Sequence, residues 1–194
     1  MRVGTTFAVM VLATGVMCGV AAAQRPKAPV SEIAFKQLEP KPEHTLLNGL
    51  VGHWTTAVHT FHGQFARARD SKGTADVKAL MGGLFFQLTQ TETRNKQPFE
   101  LMTIYGYSEA LNRYTADTID TTTTGTIHYT GTYDAAKKQI TMTTHYTEGR
   151  LKTLRIARTV TTFVDDKTWT YDEFVSLGVD QPELQVVAIK FTKG

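Results

Sequence analysis

Thiol chemistry is almost missing from this chain of 194 residues, whose one cysteine is Cys18. Cys18 falls inside an N-terminal stretch that reads as an export signal, so the remainder has neither a disulfide nor a cysteine nucleophile to offer. Charge of one sign is scarce as well. With 21 Lys and Arg against 18 Asp and Glu, net +3, and the basic residues scattered, there is no electrostatic case for nucleic acid. Arg67, Arg69 and Lys72, with Asp70 beside Gly73, read as a solvated loop. No Gly-rich phosphate loop follows a strand, and no Ser sits in a strand-to-helix elbow, which argues against nucleotide enzymes and serine hydrolases. Beyond residue 23 no apolar run approaches the roughly 20 residues of a membrane span.

The signal itself is conventional: Met1-Arg2 as basic start, an apolar run from Phe7 to Val20, and Ala21-Ala22-Ala23 before the expected cleavage point. This predicts an exported protein, periplasmic or extracellular, with no span after cleavage. Residues 24–42 contain Pro26, Pro29, Pro40 and Pro42 and read as an extended leader; 43–194 form the folded domain. Glu43 to Leu50, with Leu46, Leu47 and Leu50 on one side, predicts a short helix that plugs one barrel end.

From His53 onward the period is two, carried by Thr, Val, Ile, Tyr and Phe. Ten strands are predicted: 52–63, 74–80, 84–93, 99–107, 112–120, 125–134, 138–146, 151–163, 167–177 and 184–193. Short turn-rich connections and the absence of a long helix predict an all-β, antiparallel up-and-down barrel, with a two-sheet sandwich as the alternative. Two hairpins fix registers. A two-residue turn at Asp165-Asp166 sets Arg158 opposite Glu173, Val160 opposite Tyr171 and Ile156 opposite Val175, an Arg–Glu pair on an apolar, inward face. Pairing Tyr133 with Ile140 sets His128 opposite His145 on a polar face.

Several pieces in order, His44-x-x-Leu47-x-x-Leu50-x-Gly52-x-Trp54, Gly73-Thr74-Ala75, Leu80-Met81-Gly82-Gly83, Tyr105-Gly106-Tyr107, Tyr114, Ile119-Asp120, Thr124-Gly125 and Gly131-Thr132-Tyr133-Asp134, resemble the bacterial family called domain of unknown function 1579. Its members look like calycin-type barrels, the superfamily of lipocalins and fatty-acid-binding proteins. The chain departs from the family pattern at Ser108, Thr118 and Leu84. If these positions line a pocket, it is less polar at Leu84 and roomier at Thr118. In calycins the Trp of the Gly-x-Trp element packs under a basic side chain of the last strand. The resemblance therefore implies a structural barrel end of Gly52, Trp54 and Lys193, with Lys190 second.

The expected function is an interior site for a small apolar or amphipathic molecule. Phe86, Leu88, Tyr105, Tyr114, Ile156, Arg158, Tyr171 and Glu173 are its candidate lining, with Arg158 able to fork onto a carboxylate. Haem is disfavoured, because related barrels hold it through a late-strand His and none follows His145. His128 and His145 are too few for zinc, and His59 and His62, three apart on a strand, face opposite sides, so no metal is expected. No catalytic set is assigned. The alternatives are a cofactor-independent lyase, isomerase or hydrolase using Asp120 or Glu173 with a Tyr, or an envelope interaction module.

Overall fold

The alternation seen in the sequence becomes ten antiparallel strands in a computed structural model that describes residues 37–61, 68–148 and 153–194. The proposed signal (1–23), the leader up to residue 36, His62, Arg67 and Gly149 lie outside the described residues. The strands are β1 (Gly52–Thr60), β2 (Arg69–Leu80), β3 (Phe85–Arg94), β4 (Gln97–Ser108), β5 (Arg113–Asp120), β6 (Ile127–Asp134), β7 (Gln139–Glu148), β8 (Thr153–Asp165), β9 (Thr168–Ser176) and β10 (Leu184–Lys193). Each pairs with its sequence neighbours, and β1 pairs with β10, so the sheet closes into an up-and-down barrel. Closure leaves no strand edge to template aggregation.

One short helix, α1 (Pro42–Asn48), precedes β1. Pro42 presets its first turn, and the Lys41 backbone N–H donates to His44 Nδ1 at 3.1 Å. Leu47 and, just beyond the helix, Leu50 are fully buried in the barrel core, while His44 meets the Tyr107 ring edge-on at 5.8 Å. The helix therefore packs over the barrel end where β1 begins; the opposite end is where β1 stops and β2 starts.

Gly52 has φ +140°, and a Cβ there would stand 3.1 Å from Lys193 Cε, so only glycine suits both the backbone and its neighbour. Two residues on, Trp54 donates its Nε1–H to the Leu50 carbonyl at 2.8 Å. Lys193 Nζ lies 5.3 Å from the Trp54 ring, across the β1–β10 pairing of Trp54 with Lys193. Trp54 meets Trp169 edge-on at 6.0 Å, and Trp169 stacks flat on Phe191 at 3.4 Å. Large aromatics thus fill the helix-capped half, each ring pair adding about 0.5–1.5 kcal/mol beyond its burial.

The β8–β9 hairpin departs from the predicted register by one residue. A bulge between Phe163 and Asp165 lengthens β8, and Asp165 accepts the Lys167 N–H at 2.8 Å to tighten the turn. Thr159 therefore faces Glu173, Thr161 faces Tyr171, and Phe163 faces Trp169. On β9 the inward set is as predicted; on β8 it is inverted. Arg155, Ala157, Thr159 and Thr161 are buried, whereas Ile156 and Arg158 take the outer parity. Arg158 is bound to Glu183 at 2.6 Å and covers the Phe174 ring at 4.2 Å, so the predicted Arg158–Glu173 pair does not form.

Two smaller corrections concern polar residues. Arg69 to Lys72 belong to β2, not to a loop, because they pair in register with Ala57 to Thr60 of β1, and Asp70 reaches His59 at 2.7 Å. The β6–β7 ladder keeps the predicted register but ends at Thr130–Thr143, and His128 bonds Asp117 of β5 at 2.8 Å instead of facing His145.

At Gly131 on β6 a Cβ would lie 1.9 Å from the Thr141 carbonyl oxygen of β7. Backbone cannot yield as a side chain can. Gly131→Ala is expected to destabilise the barrel by about 2–3 kcal/mol in urea unfolding, and a loss under 0.5 kcal/mol would contradict this packing.

Candidate functional site

Inward positions along the barrel fall into three zones. Next to α1 lies the apolar cluster of Leu47, Trp54, Phe86, Trp169 and Phe191, with Tyr114 and Tyr107 beside it. Burial raises the Tyr114 pKa to about 12. Phe86 and Tyr114, both predicted to line a pocket, belong to this packed zone.

The middle zone encloses a cavity of about 40 Å³. Ligand pockets for drug-sized molecules span roughly 300–1,000 Å³. The cavity as it stands holds only a few heavy atoms, and a larger occupant requires lining side chains to move aside. Tyr105, Tyr171 and Leu88, predicted from strand parity, line it. Gln90, Thr103, Tyr129, Thr159, Thr161 and Trp169 line it as well. Thr118, one of the departures from the family pattern, also faces it and is bonded to Thr103 at 2.9 Å.

Some polar groups in this wall are paired, Thr103 with Thr118 and Tyr129 with Glu173 among them, but two fully buried donors are not. Among the described residues, the buried side-chain atoms without a hydrogen-bond partner are Thr56 Oγ1, Gln90 Nε2 and Trp169 Nε1. Gln90 and Trp169 both line the cavity, and each is only 2 % exposed. A buried donor left unpaired costs about 1–3 kcal/mol, so their coincidence at one cavity is a functional signal. Gln90 was legible in the sequence, since it continues the Phe86, Leu88 parity that marks the inner face of β3. Thr159 and Thr161 were hidden by the β8 bulge.

Toward the end opposite α1 the interior turns charged. Glu92 is buried; its Oε1 accepts from Arg94 Nε at 2.6 Å and from the Arg94 terminal nitrogen at 2.5 Å, while Ser71 Oγ donates to Oε2. Arg94 in turn lies 3.5 Å from the Phe99 ring centroid. Glu173 sits partly buried in this zone, one inward position beyond Tyr171. Burial raises its pKa to about 7 against the pull of nearby Arg94, with Asp120 raising it and the Tyr129 hydrogen bond lowering it. Burial also holds the Tyr129 and Tyr171 hydroxyls well above their usual range and that of Tyr105 at about 12, so all three stay protonated. Asp120 itself is a turn cap, accepting the Thr122 N–H and hydroxyl, both at 2.6 Å. Among the described residues no three His, Cys, Asp or Glu side chains come together in a metal-binding group.

The architecture is that of a closed ten-stranded barrel with a capped end, a small interior cavity and a charged opposite end. The chain belongs to the family described as protein of unknown function (DUF1579), whose model matches residues 39–193. Its fold is similar to that in the crystal structure of Rv2717c from M. tuberculosis, with a TM-score of 0.57 and 13% identity over 80% of this chain and 99% of that one. At that identity the likeness speaks to fold alone. Among curated proteins the chain has no significant match.

Glu173 makes stability depend on pH. Its folded pKa of about 7 exceeds the ordinary 4.5, so the folded state binds its proton more tightly. The contribution is present in full below pH 4.5 and is lost as pH rises to 7. Glu173→Gln cannot ionise. Its stability relative to the parent is expected to rise by up to about 3 kcal/mol between pH 4.5 and 8 in chemical denaturation; a difference that stays flat with pH would refute the assignment.

Proposed function

We propose that this chain is an exported binding protein that holds a small apolar or amphipathic molecule inside its barrel. The observation that carries this reading is the enclosed cavity whose wall includes two buried, unpartnered donors, Gln90 Nε2 and Trp169 Nε1. A wall built only to be filled would satisfy or replace them. The apolar part of that wall, Leu88, Leu101, Met142, Ile189 and Phe191, supplies the hydrophobic contribution to binding. Export rests on the N-terminal sequence, from Met1-Arg2 through Ala23. The proposal includes neither haem nor nucleic acid: no His is among the cavity-lining residues, and the charge of +3 is dispersed.

A second reading has its own observation. Glu173, with a pKa near 7 and the Tyr129 hydroxyl donating to it, is poised as a general base or acid for a cofactor-independent reaction. On that reading turnover would follow the ionisation of Glu173, and Glu173→Gln would abolish it.

Native mass spectrometry of the protein isolated from its own host, compared with its denatured mass, tests the binding reading. An adduct of low mass lost on denaturation is expected. A bare native mass, together with no uptake of an apolar fluorescent probe or of xenon, would overturn the reading and leave an interaction module with a filled barrel.

A further inference from the structure

We infer that the molecule taken up by this barrel is a neutral hydrogen-bond acceptor, a ketone, aldehyde, ester or similar carbonyl compound, and not a carboxylate, an amine or a plain hydrocarbon. The inference deepens the binding reading and rests on it. It starts from what the two unpaired groups are. The indole Nε1 of Trp169 can only donate, and Gln90 Nε2 is likewise a donor. Both residues line one cavity and both are closed off from bulk solvent. An occupant that brings a lone pair satisfies them; one that brings only C–H groups leaves their desolvation cost standing.

The charge of the occupant follows from the rest of the wall. No residue lining the cavity is ionised, because the three tyrosines are held in their protonated form by burial. A carboxylate placed there has no lining cation to offset its desolvation, and Glu173 next to Tyr129 repels it once ionised. Three arginines could be imagined reaching inward, and none lines the cavity: Arg155 is buried on the inner face of β8 but outside that lining, and the other two are committed elsewhere. Arg94 holds Glu92, and Arg158 is on the outer face with Glu183. An ammonium group is drawn to Glu173 once that residue ionises, yet it fails at the two donors. It adds donors to a wall whose unmet need is for acceptors, so Trp169 and Gln90 remain unpaired. The hydroxyls of Thr103, Thr118, Thr159 and Thr161 accept or donate as required and do not alter this balance.

The two indole N–H groups make the test direct. Trp54 Nε1 is bonded to Leu50 O and serves as an internal control for Trp169. The full chain, labelled with ¹⁵N, is titrated separately with 2-butanone, with its shape-matched alkene 2-methyl-1-butene, and with propionate at pH 8. Trp169→Phe assigns the indole resonances. The expected result is a saturable downfield shift of the Trp169 indole proton with the ketone, no shift at Trp54, and a Kd about tenfold lower for ketone than for alkene, the worth of one hydrogen bond. Gln90→Leu, which removes an unpaired donor without adding a polar group, should shrink that preference several-fold and leave alkene affinity unchanged or improved. Alkene binding as tightly as ketone, or propionate binding more tightly, overturns the carbonyl inference while interior binding stands. If no solute moves Trp169 and its indole proton shows exchange or cross-relaxation with water, the cavity is a hydration site. In that case this inference and the binding reading both fall.

Discussion

Everything in this molecule depends on β1 meeting β10. Ten strands joined only to their sequence neighbours would leave two long edges; the Trp54–Lys193 to Thr60–Val187 ladder removes both. Closure also sets the interior volume that side chains must fill. The chain meets that demand unevenly. The half beside α1 is packed with indole, phenyl and leucine side chains, and the other half is lined with hydroxyls, amides and charges. Gly52 stands at the capped end, where its backbone and the approach of Lys193 exclude any larger residue.

Several buried groups of the polar half are answered by another side chain on the same strand, on a neighbouring strand or across the barrel. Thr103 answers Thr118, Arg94 and Ser71 answer Glu92, and Tyr129 answers Glu173. In a medium of low dielectric such pairs hold one another in place, and a missing member is costly. Those pairings give weight to the two donors lining the cavity that find no answer. They sit at the boundary between the packed zone and the polar zone, where β3 carries Gln90 and β9 carries Trp169.

Much of this was legible before any coordinates. Period-two alternation named all ten strands, and the resemblance to the family supplied the Gly52–Trp54 barrel end. The site was legible strand by strand, wherever parity ran uninterrupted: Leu88 on β3, Tyr105 on β4, Tyr171 on β9. It failed on β8. One bulged residue near Val164 inverts the whole strand, so Arg158 and Ile156 exchange sides with Arg155, Ala157 and Thr159. Hydrophobicity alone misled there, because the inner face of β8 carries threonines that serve a polar cavity while Ile156 and Val160 lie on the outer parity. Tertiary closure is what decides the register, and it draws on contacts from β7 and β9 that no local pattern contains.

The placement of the indoles has an optical consequence. The chain has two tryptophans, and they come from near opposite ends of the folded domain, on β1 and β9, to meet edge-on at 6.0 Å beside Phe191. In the unfolded chain they are separated by more than a hundred residues, so their contact belongs to the slowest class of pairing by sequence separation. The edge-on indole contact therefore forms only when closure brings β1 to β9, while the stack of Trp169 on Phe191 forms with the β9–β10 hairpin, and the near-ultraviolet signal of the tryptophans reports both events.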